Sequence, residues 1–237
     1  MSGWKAKRFW KEVSVAEAED GHLVHLDGRE LRTPLKSRLP LPSRALAEAV
    51  AQEWEAQQDE VKPQQMPFTR TANSAVDKVR PQRDEVAAML AAYAETDLLC
   101  YRAEGPEELA ERQAAAWDPL LDWAAQTYGA RLVVQEGIMP RAQDPAALTA
   151  LAAALDGMEP FQLAAFHDLV ALPGSLILAL ATIEGVAPAE ALWEASRLDE
   201  AWQEEQWGAD EEAAEVAEIK RTAFLHAHNF YQMVTGR

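Results

Sequence analysis

A chain of 237 residues with 49% hydrophobic and 26% charged residues holds enough apolar material for a packed core and too much for intrinsic disorder. Its net charge of −17 repels phosphate backbones, no run of about 18 apolar residues offers a membrane span, and a single cysteine, Cys100, leaves no internal disulfide to form. The charge is uneven: residues 1–44 carry a net +3 and the remainder a net −20.

In chain order, Trp10–Val15, His22–Leu26 and Arg29–Thr33 alternate polar and apolar residues and are separated by Asp20-Gly21 and Asp27-Gly28. Asp-Gly pairs supply the positive φ of tight hairpins, so the pattern predicts a small antiparallel sheet stopped at Pro34. Asp27, Gly28 and Pro34 are accordingly structural positions. Helical periodicity takes over at Ser43, a capping residue, and runs to Gln58 with Leu46, Val50 and Trp54 on one stripe, which makes Trp54 a core residue. The Lys62–Pro67 loop separates a small β-rich domain with one helix, residues 1–66, from a helical bundle domain with a short strand pair, residues 67–237.

In that second part, Thr71–Glu95 reads as a helix bent or restarted at Pro81, and Pro106–Tyr128 as a helix closed by Gly129. Leu98–Tyr101 and Arg131–Val134 read as short strands that pair, with Asp97 capping or bracing the loop into the first. From Asp144, a cap followed by proline, helices are expected at 145–156, 160–171, 174–184, 187–207 and 210–234. The fold class is α+β: a small N-terminal antiparallel β-sheet domain with a helix, followed by a mainly α-helical orthogonal bundle.

Chemistry-bearing motifs are missing. The sequence has no Gly-x-Gly-x-x-Gly, phosphate loop, Cys-x-x-Cys or His-Glu-x-x-His. Ser175 lacks the second glycine of a nucleophile elbow and reads as a cap or a buried hydroxyl. His226 and His228 point to different faces of a helix, and His22 and His25 to opposite sides of a strand, so no metal and no cofactor are expected. One feature stands out. Residues 199–218 hold nine carboxylates and no Lys or Arg, on a segment whose Leu192, Ala195, Leu198 and Trp202 form an apolar stripe. A solvated charged face is one reading; an apolar anchor with a charged rim, the form of an interface hot spot, is the other.

Several short motifs occur in a fixed order: Arg8-Phe9-Trp10-Lys11, Leu26–Pro34, Glu53-Trp54-x-x-Gln57, Met66-Pro67-x-Thr69, Asn73-x-Ala75-x-Asp77, Thr96–Arg102, Trp117-Asp118-Pro119, and Ser196-Arg197-Leu198-Asp199-Glu200-x-x-Gln203-x-x-x-Trp207-Gly208. In this combination, from Arg8 to about residue 228, the sequence resembles the assembly chaperones of the F-type ATP synthase catalytic head, specifically the member that receives the α subunit. The resemblance implies a non-enzymatic protein that binds unassembled α and shields the surface α later gives to β. On the same resemblance, Asp199 and Glu200 match the family's acidic position, where glutamate is commoner at the first, and Gln203 and Trp207 match residue for residue. With Trp202 and Glu204 they make up the expected partner-binding set. The family occurs in the mitochondrial matrix and in some bacteria. The short basic start, Met1–Trp10, without an apolar signal core, points to a bacterial cytoplasmic version, monomeric when free, with no nucleic acid or membrane partner. Two other readings stay open on the residues alone: an acidic adaptor for some other basic partner, and a hydrolase or lyase using the carboxylates of 199–212.

Overall fold

The structure, a computed structural model, describes residues 7–208 and 210–236; the first six residues of the stretch read for a targeting signal lie outside the described residues, as do Ala209 and Arg237. The chain divides into two compact units. One gathers the described residues up to Arg83 with Glu159–Ala165 and the described residues from Asn229 on; the other holds Asp84–Met158 and Phe166–His228.

The first unit is built on an antiparallel sheet of β1 (Val13–Ala18), β2 (Gly21–Leu26) and β3 (Arg29–Glu30), in that order. The second predicted turn is where the sequence put it, and the first falls one residue earlier, at Glu19-Asp20, with Gly21 opening β2 opposite Ala18. At the second, Asp27 (φ 48°) and Gly28 (φ 74°) both adopt left-handed backbone, the signature of a type I′ turn. The Asp27 carboxylate accepts the amides of Glu12 and Lys11, each at 2.9 Å, and these bonds hold its pKa below the usual aspartate range. Gly21 has a different reason: a Cβ there would lie 2.6 Å from the carbonyl oxygen of Leu41. Helix α1 (Arg44–Glu55), capped by the Ser43 hydroxyl, packs on the sheet and buries Leu46, Ala47 and Val50. Trp54 is only half-buried, edge-on to buried Trp10.

The motif residues of this unit act as clamps. Glu53, half-buried, accepts the amides of Phe68 and Thr69 and the Thr69 hydroxyl at 2.6–2.7 Å, capping α2 (Pro67–Ser74). Asp77 accepts the Thr33 hydroxyl at 2.7 Å and the Leu35 amide at 3.2 Å, which pins the turn containing exposed Pro34. The helical stretch thus starts at Pro67 rather than Thr71, because proline suits the first helical position. It passes through a wide π turn at Ala75–Val79 and a 3₁₀ turn at Arg80–Gln82 before α3 (Arg83–Ala91). The restart falls at Pro81, as expected.

In the second unit the strand pair is displaced from its predicted place. Asp97 caps a 3₁₀ turn at Leu98–Cys100, so the strands are β4 (Tyr101–Arg102) and β5 (Gln135–Glu136), paired in parallel. Between them runs α4 (Glu107–Tyr128), closed by Gly129 at φ 68°. There follow α5 (Pro145–Ala153, capped by Asp144), α6 (Pro160–Ala171, counted with the first unit up to Ala165), α7 (Leu176–Glu184), α8 (Ala189–Ser196), α9 (Leu198–Trp207) and α10 (Glu211–Thr235, counted with the first unit from Asn229). Helix α7 is the centre of this unit, with every residue from Leu176 to Ile183 buried. The single helix expected over 187–207 is two, broken at Arg197 (φ −106°, ψ 14°). An antiparallel sheet followed by helices confirms the α+β class.

Candidate functional site

Helix α9 begins directly after the break at Arg197, with Asp199 and Glu200 in its first turn, where the helix dipole favours negative charge. Its residues face two ways. Trp202 is buried, with the Arg112 guanidinium lying over its ring 4.6 Å from the centroid. Asp199 is half-buried and its Oδ1 accepts Gln113 Nε2 at 2.6 Å, while Gln113, itself buried, accepts the Ala103 amide. These two residues therefore tie α9 to α4. On the other side, Glu200, Gln203, Glu204 and Trp207 are all exposed, Trp207 by 79%.

The exposed acids are not bare. Arg197 reaches Glu200 at 3.1 Å and Glu204 at 3.8 Å, and Arg112 holds Glu205 at 2.7 Å and Glu108 at 3.2 Å. Such half-exposed pairs contribute about 0–1 kcal/mol each. The surface continues past Gly208. Asp210 caps α10 by accepting the Glu212 amide at 2.9 Å, and of residues 211–220 every one but Ala217 is exposed, Val216 and Ile219 among them. A cleft of about 290 Å³ lies between α8, α9 and α10, floored by Trp193, Ala201 and Ala217 and edged by Arg197, Glu204 and Arg221. Trp207 at the end of α9 and Val216 and Ile219 on the first turns of α10 thus leave three large apolar side chains in water.

Of the positions read as structural, Asp97 is the most constrained. It is fully buried, accepts the amides of Leu99 and Ile177 at 3.0 Å each, and joins the start of the 98–100 turn to the start of α7. Burial raises its pKa to about 6, against the lowering effect of those hydrogen bonds and of the Ser175 hydroxyl. Ser175 is both a cap, accepting the Leu178 amide, and a buried hydroxyl. Sequence reasoning did not find Arg112 and Gln113, because nothing local links residues 86 or more positions apart; Arg197 stood inside the quoted motif. Among the described residues, no group of three or more His, Cys, Asp or Glu side chains could hold a metal ion, and no helix is long and apolar enough to cross a membrane.

Residues 7–125 match the family described as ATP12 chaperone protein. The mitochondrial protein atp12 of Schizosaccharomyces pombe is 27% identical over 222 residues, which span 89% of this chain and 76% of that protein. The crystal structure of Atp12 from Paracoccus denitrificans is 49% identical and superposes with a TM-score of 0.93, covering 97% of this chain and 98% of that one. The Atu1473 protein of Agrobacterium tumefaciens is 43% identical, with a TM-score of 0.91 over 96% of this chain and 86% of its own. Motifs, fold and these likenesses converge, and the chain belongs to the ATP12 chaperone family, which serves ATP synthase assembly and is not a family of enzymes.

Proposed function

We propose that this chain binds the unassembled α subunit of the F-type ATP synthase catalytic head and covers the surface that α later gives to β. An obligate ring interface is large and apolar, and before assembly it is an aggregation hazard. The observation that carries the reading is the outward face of α9, where Trp207 stands 79% exposed among carboxylates. An aromatic anchor of this kind, with a charged surround, is what a hot spot needs. Glu200, Gln203, Glu204 and Trp207 make the contact, with Val216 and Ile219 extending it. Asp199 and buried Trp202 act from behind, setting the position of α9 through Gln113 and Arg112.

The arginine pairs fit a chaperone that must let go. Glu200 and Glu204 can exchange Arg197 for cations or amides on α at little cost, and return to it when β competes by mass action. No ATP hydrolysis is required. Greater likeness to a bacterial protein (49%) than to a mitochondrial one (27%) supports action in a bacterial cytoplasm. The acidic-adaptor alternative rests on charge alone and would lose its binding in salt; a contact anchored by Trp207 keeps a salt-resistant part.

The test is co-expression of the α subunit with this chain. Soluble α that co-purifies with wild type, and is lost with Trp207→Ala combined with Glu200→Lys, supports the reading. An α subunit that stays insoluble beside the wild-type chain refutes it.

A further inference from the structure

The cleft of about 290 Å³ between α8, α9 and α10 shares only Glu204 with the contact residues of α9's outward face. It is open because small residues line it. Ala201 of α9 and Ala214 and Ala217 of α10 stand where longer side chains would close the gap between the two helices. On α10 the lining positions 214, 217, 218 and 221 recur at i, i+3, i+4 and i+7, so one stripe of that helix is turned to the cleft. Exposed Val216 and Ile219 do not belong to it.

Two polar groups in the cleft say what it takes. Trp193 lines it, is more than nine-tenths buried and packs against buried Phe224, with 5.5 Å between ring centroids. Its indole N–H meets no acceptor among the described residues, yet it is not sealed from solvent as those of Trp10 and Trp54 are. The small part of Trp193 that stays accessible opens into the cleft, and a ligand there can reach the donor. The other group is Glu194. Of the three carboxylates at the rim, Glu204 pairs with Arg197 at 3.8 Å and Glu218 with Arg221 at 3.2 Å. Glu194 is exposed, and its carboxylate has no ion pair or hydrogen bond among the described residues. The rim thus keeps one uncommitted negative charge, beside a segment, 199–218, that carries nine more carboxylates and no Lys or Arg.

We infer that this cleft is a socket for one anchor of the client subunit, an apolar side chain with a lysine or arginine beside it. The apolar group fills the space between the alanines, where Trp193 lacks neighbouring atoms on its open edge. The cation meets Glu194, in keeping with the acidic surface around the rim. A carbonyl of the client backbone accepts the Trp193 N–H. A buried aromatic floor with a charged edge is the setting in which a single side chain contributes most to an interface. The inference rests on the reading of the chain as a chaperone of the α subunit, but not on Glu200, Gln203 or Trp207.

The experiment fills the socket. Ala217→Leu and, separately, Glu194→Gln are compared with the wild-type chain for binding of the α subunit at 0.1 M and 0.5 M NaCl, with the Tm of each measured alongside. Leucine is nearly as good a helix former as alanine, so Ala217→Leu should hold or raise the Tm. It should bind α at least tenfold more weakly at both salt concentrations, because the space for the anchor is gone. Glu194→Gln should weaken the complex about fivefold at 0.1 M and less at 0.5 M, as an exposed charge does. If Ala217→Leu lowers the Tm, Ala214→Leu, at an exposed position of the same stripe, takes its place. Wild-type affinity in either folded variant overturns the socket and leaves the proposed function standing. Failure of the wild-type chain to hold α overturns the function and the inference with it. A wild-type chain that dimerises, and becomes monomeric with Ala217→Leu, assigns the cleft to a second copy and also overturns it.

Discussion

Asp97 and the carboxylates of α9 lie in the same unit, and Asp97 and Glu200 each stand at the start of a helix or of a helical turn, yet their surroundings are opposite. Asp97 is sealed in the core and committed to two backbone amides, so it cannot leave without undoing the junction between the 98–100 turn and α7. Glu200 and Glu204 are exposed and lean on a single arginine at 3.1 and 3.8 Å, a partnership that water and salt weaken. The lesson is that a carboxylate's role follows from what it would cost to take it elsewhere. Asp97 holds the fold; the acids of α9 are available.

The strongest way to break that contrast is Asp97→Ala. At pH 5, where the buried carboxyl is protonated and makes its hydrogen bonds without the cost of a buried charge, the variant should lose about 3 kcal/mol, because the Leu99 and Ile177 amides are left unpaired. That corresponds to a fall in Tm of about 6–12 °C. The second effect is one of pH. Burial raises Asp97 from 3.8 to about 6, so the native state binds a proton that the unfolded chain has released. The stability it contributes is complete below pH 3.8, declines as pH rises to about 6 and is flat above that, a span of about 3 kcal/mol. The difference in unfolding free energy between wild type and Asp97→Asn, followed from pH 4 to 8, isolates it; a difference that grows with pH would contradict the assignment.

The turns were legible in the sequence because Asp27-Gly28 needs only local backbone chemistry. So were the caps at Ser43 and Asp144, and the closing glycine at 129, each of which acts within a few residues. The strand at 98–101 was misplaced because its apolar run, Leu98-Leu99-Cys100, is buried by a 3₁₀ turn that Asp97 caps, and hydrophobicity cannot tell the two apart. The break at Arg197 is not legible in the sequence, because the apolar stripe continues through it from Leu192 to Trp202. The candidate surface was visible as an acidic run with tryptophans. Its division into inward Asp199 and Trp202 and outward Glu200 and Trp207 was not, since that depends on Gln113 and Arg112 arriving from α4.

Smaller effects sharpen the other side of the comparison. Trp207→Ala should leave the Tm unchanged and weaken binding to α by about 30-fold, as a hot-spot truncation of about 2 kcal/mol does. Glu200→Lys with Glu204→Lys should weaken binding about tenfold at low salt and markedly less at 0.5 M NaCl. The same pair should lower the Tm by less than about 8 °C, since the two ion pairs lost are exposed. Thermal unfolding beside equilibrium binding checks all three; a large loss of stability in either variant would move α9 into the class of Asp97.

The most direct measurement is the titration of purified α subunit with this chain and with its Trp207→Ala, Glu200→Lys variant, followed by addition of β. The account predicts a one-to-one complex with wild type, little complex with a variant that remains folded, and release of the chain as β joins α. A folded variant that holds α as tightly as wild type would contradict it.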